Sequence, residues 1–292
     1  MEQGLSWRCR DRTIRMGMRP LVMGILNVTP DSFSDGGRFQ TVEAAVQRGL
    51  TMADEGADVV DIGGESTRPG AVAVSAAEEC VRVVPVVRAL AEAFSGRPEA
   101  PLISVDTRKA MVAEQALEAG ARIINDVTAL AGDPKMPALA RRSGAGIVLM
   151  HMRGEPATMQ QDPRYGDVVG EVVGWLTARM VAMEKAGLSV ETIALDPGIG
   201  FGKTMEHNVK LIAGLRALVA AGRPVVVGAS RKSFIGKITG RDGDARMAGS
   251  LATAVWAAAC GAHVWRVHEV RESVDAARLV AALREETSEW IG

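Results

Sequence analysis

Eight short apolar runs, each followed by a stretch of helical periodicity, set the strongest limit on how this chain can fold. The runs occupy residues 21–28, 58–64, 102–106, 122–125, 146–151, 193–196, 224–230 and 263–268. Helical patterns follow at 42–55, from Ser75 onward, and at 109–119, 136–142, 166–186, 206–221, 245–260 and 273–285. Ser75 with Glu78 three residues on reads as a capping box. Short β-type runs alternating with helices indicate βα units and parallel pairing. Eight units close into an α/β fold of the (β/α)8 (TIM) barrel type, with an open doubly wound sheet as the competing fold. No Gly-x-Gly-x-x-Gly turn follows the first run, which removes the main argument for a dinucleotide-binding sheet.

The segment before the first run, residues 6–19, is short and basic and reads as a small hairpin or cap. With 292 residues, 47% of them hydrophobic, the chain can bury one large barrel core. A net charge of −1 and no basic stripe give no support to nucleic-acid binding. The apolar segment 247–262 is too short to span a bilayer and reads as a buried helix. Cys9, Cys80 and Cys260 have neither disulfide nor metal spacing, which with the lack of a signal core points to the cytoplasm.

The residues where the runs stop are polar: Asn27, Asp61, Asp106, Asn125, Asp196, Lys232 just past Ser230, and Arg266 with His268; Met150 is the apolar exception. In a (β/α)8 barrel the active site lies at the C-terminal ends of the strands. Any one of these residues alone reads as a turn or cap; nearly all of them together read as a site. Asp106, Asn125 and Asp196 supply acceptors and one amide, which suits a flat heterocycle carrying several N–H groups. Arg68, Arg231, Lys232, Arg266 and His268 supply cations suited to a phosphate, diphosphate or carboxylate. Asn27 offers a neutral oxygen suited to a Mg²⁺ already held by phosphate oxygens. Two long loops, 29–39 and 65–74, read as lids at the barrel mouth.

Four motifs are Asn27-Val-Thr-Pro-Asp-Ser-Phe-Ser-Asp-Gly-Gly37, Gly63-Gly-Glu-Ser-Thr-Arg-Pro-Gly70, Asp196-Pro-Gly-Ile-Gly-Phe-Gly-Lys203 and Ser230-Arg-Lys-Ser233. In this order they resemble the dihydropteroate synthases, folate-pathway enzymes and targets of sulfonamides. The resemblance covers the chain from about residue 20 and implies one pterin-binding barrel domain over 1–292, with 1–20 as an N-terminal cap. It implies that 6-hydroxymethyl-7,8-dihydropterin diphosphate loses diphosphate as the amine of 4-aminobenzoate attacks its methylene. It assigns the pterin to Asp106, Asn125, Asp196 and Lys232, with Met150 lining the pocket. Arg266 would stack on the ring and, with His268, hold the diphosphate. Asn27 would be the Mg²⁺ ligand. Phe33, Thr67, Arg68, Pro69, Phe201 and Ser233 would form the aminobenzoate pocket. Asp35, Arg68 and Lys232 would be catalytic, the first two by ordering the loops. The resemblance also implies a homodimer. A folate-dependent methyltransferase barrel and a catalytically silent homologue are the competing readings; neither has reason to retain all four motifs.

Overall fold

The computed structural model describes residues 4–29, 38–66, 73–155 and 158–291. Phe33 and Asp35, and Thr67, Arg68 and Pro69, lie outside the described residues. The chain opens with a hairpin, β1 (Ser6–Cys9) and β2 (Arg12–Arg15), and then alternates. The order is β3 (Leu21–Asn27), α1 (Arg38–Asp54), β4 (Val59–Gly63), α2 (Ala76–Phe94), β5 (Leu102–Asp106), α3 (Ala110–Ala119), β6 (Ile123–Asp126) and α4 (Met136–Ser143). It continues β7 (Gly146–Met150), α5 (Val168–Lys185), β8 (Ile193–Asp196), α6 (Met205–Ala213), α7 (Leu215–Val219), β9 (Val226–Val227), α8 (Ser233–Thr239), α9 (Met247–Ala259), β10 (Val264–Val267) and α10 (Val270–Ile291).

β3 to β10 form one parallel sheet in the order β8-β7-β6-β5-β4-β3-β10-β9. A parallel bridge between Leu195 and Val225, with the Leu195 N–H donating to Pro224 O at 2.8 Å, joins its two edges. The fold is therefore the eight-stranded barrel expected from the alternation. Closure matters because an open sheet would leave two unpaired edges and no single mouth.

Strand side chains alternate between the two faces, and the barrel sorts them cleanly. Val22, Val60, Ile62, Ile103, Val105, Ile124, Ile147, Leu149, Leu195 and Trp265 face the helices in one buried cluster. Leu21, Met23, Val59, Leu102, Ile123, Val148, Ala194, Val226 and Val264 face inward and pack with Trp7 and Cys9 of the hairpin. The hairpin is thus a plug in the barrel floor. Trp7 is fully buried, and its Nε1 donates to Thr192 O at 2.8 Å. A Cβ at Gly146 would lie 2.5 Å from Cys9 Sγ, so a side chain there would push the plug out.

The helices differ from expectation in four places. Ser75 caps α2 by accepting from the Glu78 N–H at 3.2 Å, but the Glu78 carboxylate binds Arg82, so only half of the capping box forms. The pattern at 206–221 is split into α6 and α7 at Gly214, where a Cβ would lie 2.8 Å from Val169. The short α8, which begins at the last residue of the Ser230 motif, carried no periodic signal of its own. Finally, α9 is not buried all round. Trp256 is 57% exposed, with Met247 and Val255 exposed beside it. Its inner face is mostly alanine, so hydrophobicity alone did not reveal which side was covered.

Candidate active site

Two residues further along the same inward faces, the side chains change from apolar to polar. Val59 is followed by Asp61, Leu102 by Ser104 and Asp106, Ile123 by Asn125, Val148 by Met150, Ala194 by Asp196, and Val264 by Arg266. A cavity at this end is lined by Asp106, Asn125, Met150, Asp196, Phe201, Lys232 and Arg266, with Val127, Gly198, Ile199 and Gly228 between them. Strand register puts Asp106 beside both Gly63 and Asn125, and Met150 beside Asp196. Six residues chosen from strand ends and one from the glycine loop are thereby gathered around one space.

The cavity is held by charge pairs. Arg266 lies across it, its Nε donating to Asp61 Oδ2 and its Nη2 to Asp106 Oδ2, each at 2.6 Å. Asn125 Nδ2 donates to the same Asp61 oxygen at 2.9 Å. Burial works against the charge on Arg266, but Asp61 and Asp106 together raise its pKa. Burial pushes Asp106 upward, with Arg266 opposing and Asp61 adding to the rise. Burial likewise raises Asp196, against the Gly198 N–H and the cations Arg266, Lys232 and Lys203.

The turn from β8 into the site is built on glycine. Asp196 Oδ1 accepts the Gly198 N–H at 2.7 Å. Gly198 and Gly202 have φ of +66° and +61°, and a Cβ on them would lie 1.9 Å from His151 O and 2.3 Å from Arg153 O. Neither position has room for a side chain. Lys203 is buried and donates to Phe201 O at 2.9 Å and His151 O at 3.3 Å, with His151 Nδ1 at 3.0 Å. Burial lowers its pKa to about 7. Phe201, fixed by this wiring, presents its ring 4.1 Å from Lys232 Nζ.

The remaining site residues fall around the rim. Asn27 is exposed at the end of β3, and Ser233 is exposed at the start of α8. His268 sits on Ser230 Oγ at 2.9 Å through Nδ1. Burial, with Arg231 nearby, lowers its pKa to about 4, so it is neutral at pH 7 and not the cation expected from its type. Arg231 is engaged as well, with Glu269 at 2.5 Å and Asp244 at 2.6 Å. Its charge is committed to the wall instead of the cavity. Among the described residues no cluster of His, Cys, Asp or Glu could by itself hold a metal ion. One neutral oxygen from Asn27 fits a Mg²⁺ whose other ligands come from phosphate and water.

Three contributors escaped the sequence reading. Asp61 is fully buried and ties Arg266 to Asn125; it stood among the strand-end residues but had been given no role. Gln160 Nε2 and Tyr165 Oη donate to Gly200 O and Gly202 O at 2.5 and 3.1 Å. The segment 160–165 therefore buttresses the glycine loop. Loop residues have no periodicity to mark such contacts.

Fold and site define a barrel with a polar, cation-bearing mouth built for a flat, hydrogen-bonding ring. Residues 23–268 match the family described as pterin binding enzyme, and the chain belongs to that family. Within it, this chain is one of the dihydropteroate synthases. It is 47% identical over 263 residues to the dihydropteroate synthase of Escherichia coli K12, covering 90% of this chain and 91% of that one. Among solved structures it is similar to Xanthomonas albilineans dihydropteroate synthase with 4-aminobenzoic acid (TM-score 0.88, 46% identity, 97% and 99% of the two chains). It is also similar to the Yersinia pestis enzyme in a sulfonamide drug complex (TM-score 0.89, 43% identity, 96% and 100%).

Proposed function

We propose that the cavity binds the pterin of 6-hydroxymethyl-7,8-dihydropterin diphosphate and that 4-aminobenzoate displaces the diphosphate to give 7,8-dihydropteroate. The observation that carries this reading is the gathering of Asp106, Asn125, Met150, Asp196, Lys232 and Arg266 around one cavity. Asp106 and Asp196 accept pterin N–H groups, Asn125 both donates and accepts, and Met150 packs on the ring edge. An aromatic amine is nucleophilic without prior deprotonation, so the barrier lies in breaking the C–O bond. The two buried carboxylates favour the positive charge that develops on the ring and methylene as that bond breaks. Lys232 and Arg266 offset charge on the departing diphosphate, and neutral His268 contributes an N–H instead of a charge.

Asn27 is the one protein ligand we assign to Mg²⁺, which when bound neutralises diphosphate oxygens. Phe201 and Ser233, with Phe33, Thr67, Arg68 and Pro69 of the two loops, are assigned to the aminobenzoate. Asp35 and Arg68 are assigned to ordering those loops, with Lys232 as the third catalytic residue. Sulfonamides share the aniline ring and anionic end of 4-aminobenzoate and should compete for the same subsite.

A homodimer is part of the same reading. Trp256, Val255 and Met247 on α9, Leu279 and Leu283 on α10 and Ile238 on α8 are all exposed apolar side chains, supporting burial against a second copy. Sedimentation equilibrium would show it, and a monomer at micromolar concentration would refute it. A cytoplasmic location suits three free, buried cysteines. Among the described residues no helix is long and apolar enough to cross a membrane.

The decisive experiment mixes the purified protein with the pterin diphosphate and 4-aminobenzoate, with and without Mg²⁺. Dihydropteroate should accumulate, faster with Mg²⁺ and more slowly with sulfamethoxazole. Failure to form it in the presence of all components would overturn the reading.

A further inference from the structure

The guanidinium of Arg266 occupies an oxygen of Asp106, an acceptor that the proposed function gives to the pterin. A pterin N–H directed at that oxygen competes with Arg266 for it. Releasing a buried ion pair is costly unless the cation keeps a partner. Asp61 is placed to be that partner. It is fully buried, one strand away from Asp106 and two residues deeper in the barrel. Its Oδ2 accepts Arg266 Nε at 2.6 Å and Asn125 Nδ2 at 2.9 Å.

The second observation concerns the other oxygen. Asp61 Oδ1 is buried and has no hydrogen-bond partner among the described residues. Ser104, its register partner on β5, likewise carries a buried hydroxyl with none. An acceptor is thus held ready beside the bond that already fixes Nε. Arginine presents its N–H groups as a planar fork that matches both oxygens of one carboxylate.

The geometry points to Asp61 as a positioning residue for the reaction: Arg266 pivots about its Nε–Asp61 bond, moving Nη2 off Asp106 as the pterin arrives. Asp61 keeps the cation in the barrel mouth; Asp106 is the exchangeable partner. Asp61 touches neither substrate directly and acts on the pterin through Arg266; an Asn in its place could still accept from Asn125 Nδ2. This rests on the pterin reading above and gives it an order of events.

Two measurements test it. The first is the structure of the unmutated protein with 6-hydroxymethyl-7,8-dihydropterin bound. Arg266 Nε should remain on Asp61 while Nη2 has left Asp106. An Arg266 that abandons Asp61, or one that stays on Asp106, overturns the pivot. The second is calorimetric binding of the same pterin to Asp61→Asn, Arg266→Met and the double variant. With Asp61 neutralised, Arg266 keeps Asp106 as its one carboxylate hydrogen-bond partner among the described residues, and pterin affinity should fall roughly tenfold. In the Arg266→Met background the same change should cost less than about twofold, the signature of action through Arg266. An equal loss in both backgrounds, or no loss in either, also overturns it. If Asp61→Asn does not fold, the bound structure still decides. Failure of the unmutated protein to bind pterin at all would instead sink the functional reading.

Discussion

The two ends of the barrel interior are built from the same strands and the same inward face, yet they do different work. At the floor, Met23, Val59, Leu102, Ile123, Val148 and Val264 close on Trp7 and Cys9. Two residues along, Asp61, Asn125, Asp196 and Arg266 stand in their place at the mouth. The floor removes apolar area from water and needs no partner geometry. The mouth confines carboxylates and cations where each must have a partner, and some of those partners are given up to a ligand. Stability therefore resides largely at the floor and chemistry at the mouth, a division expected for this barrel class.

The sharpest way to break that contrast is Trp7→Ala. Truncating a fully buried tryptophan should cost about 3–5 kcal/mol. At roughly 2–4 °C per kcal/mol, calorimetry should show Tm lower by on the order of 10 °C. Pterin affinity of the folded fraction should be unchanged. An unaltered Tm would mean that the hairpin merely rests on the barrel.

Asp196→Asn is the opposite case. It sets a donor against the pterin N–H groups and should weaken pterin binding by about 1–3 kcal/mol. Tm should shift far less than with Trp7→Ala, since Asn can still accept the Gly198 N–H. Titration calorimetry showing unchanged pterin binding by a folded variant would remove Asp196 from the pocket.

Acid gives the most general test. Burial lowers His151 to about 3 and His268 to about 4 at the mouth side, and His263 to about 4 near the floor. Between these values and the unfolded pKa of about 6.5, the unfolded chain binds more protons than the folded one. The contribution of these histidines to stability is therefore complete above about pH 6.5 and falls as pH drops toward 4, by at most about 1.4 kcal/mol per histidine for each pH unit. His263 Nδ1 accepts the Val225 N–H at 3.1 Å, a bond that protonation must break. His263→Asn keeps an acceptor without a titrating group, so its Tm should fall less steeply between pH 6.5 and 4.5. An identical slope would assign the acid sensitivity to the mouth histidines instead.

Much of this molecule was legible from local patterns. The apolar runs located each barrel strand to within a few residues, because a strand buried on both faces must be apolar over most of its length. The polar residue closing nearly every run marked the mouth, because a buried strand can end in charge only where a cavity or ligand meets it. Gly198 and Gly202 stand in the glycine-rich motif after the sixth run, and only the structure shows them pressed against the carbonyls of His151 and Arg153, which leave space for nothing larger. The half-formed cap at Ser75, the break at Gly214 and the exposed side of α9 were not legible, since each depends on what a distant side chain does.

By itself, then, the sequence determined the eight barrel strands, most of the helices and the polar mouth, all of which follow from periodicity within a few residues. Only the tertiary structure decided who meets whom. Arg266 finds Asp61 and Asp106 across 205 and 160 residues of chain because closure sets the last strand beside the first. The same packing spends Arg231 on Glu269 and holds His268 neutral, so that residues of one chemical type come to carry different charge and different duties. Ionisation and partnership are set by burial and by neighbours in space, and those are fixed by strand register and barrel closure, not by position along the chain.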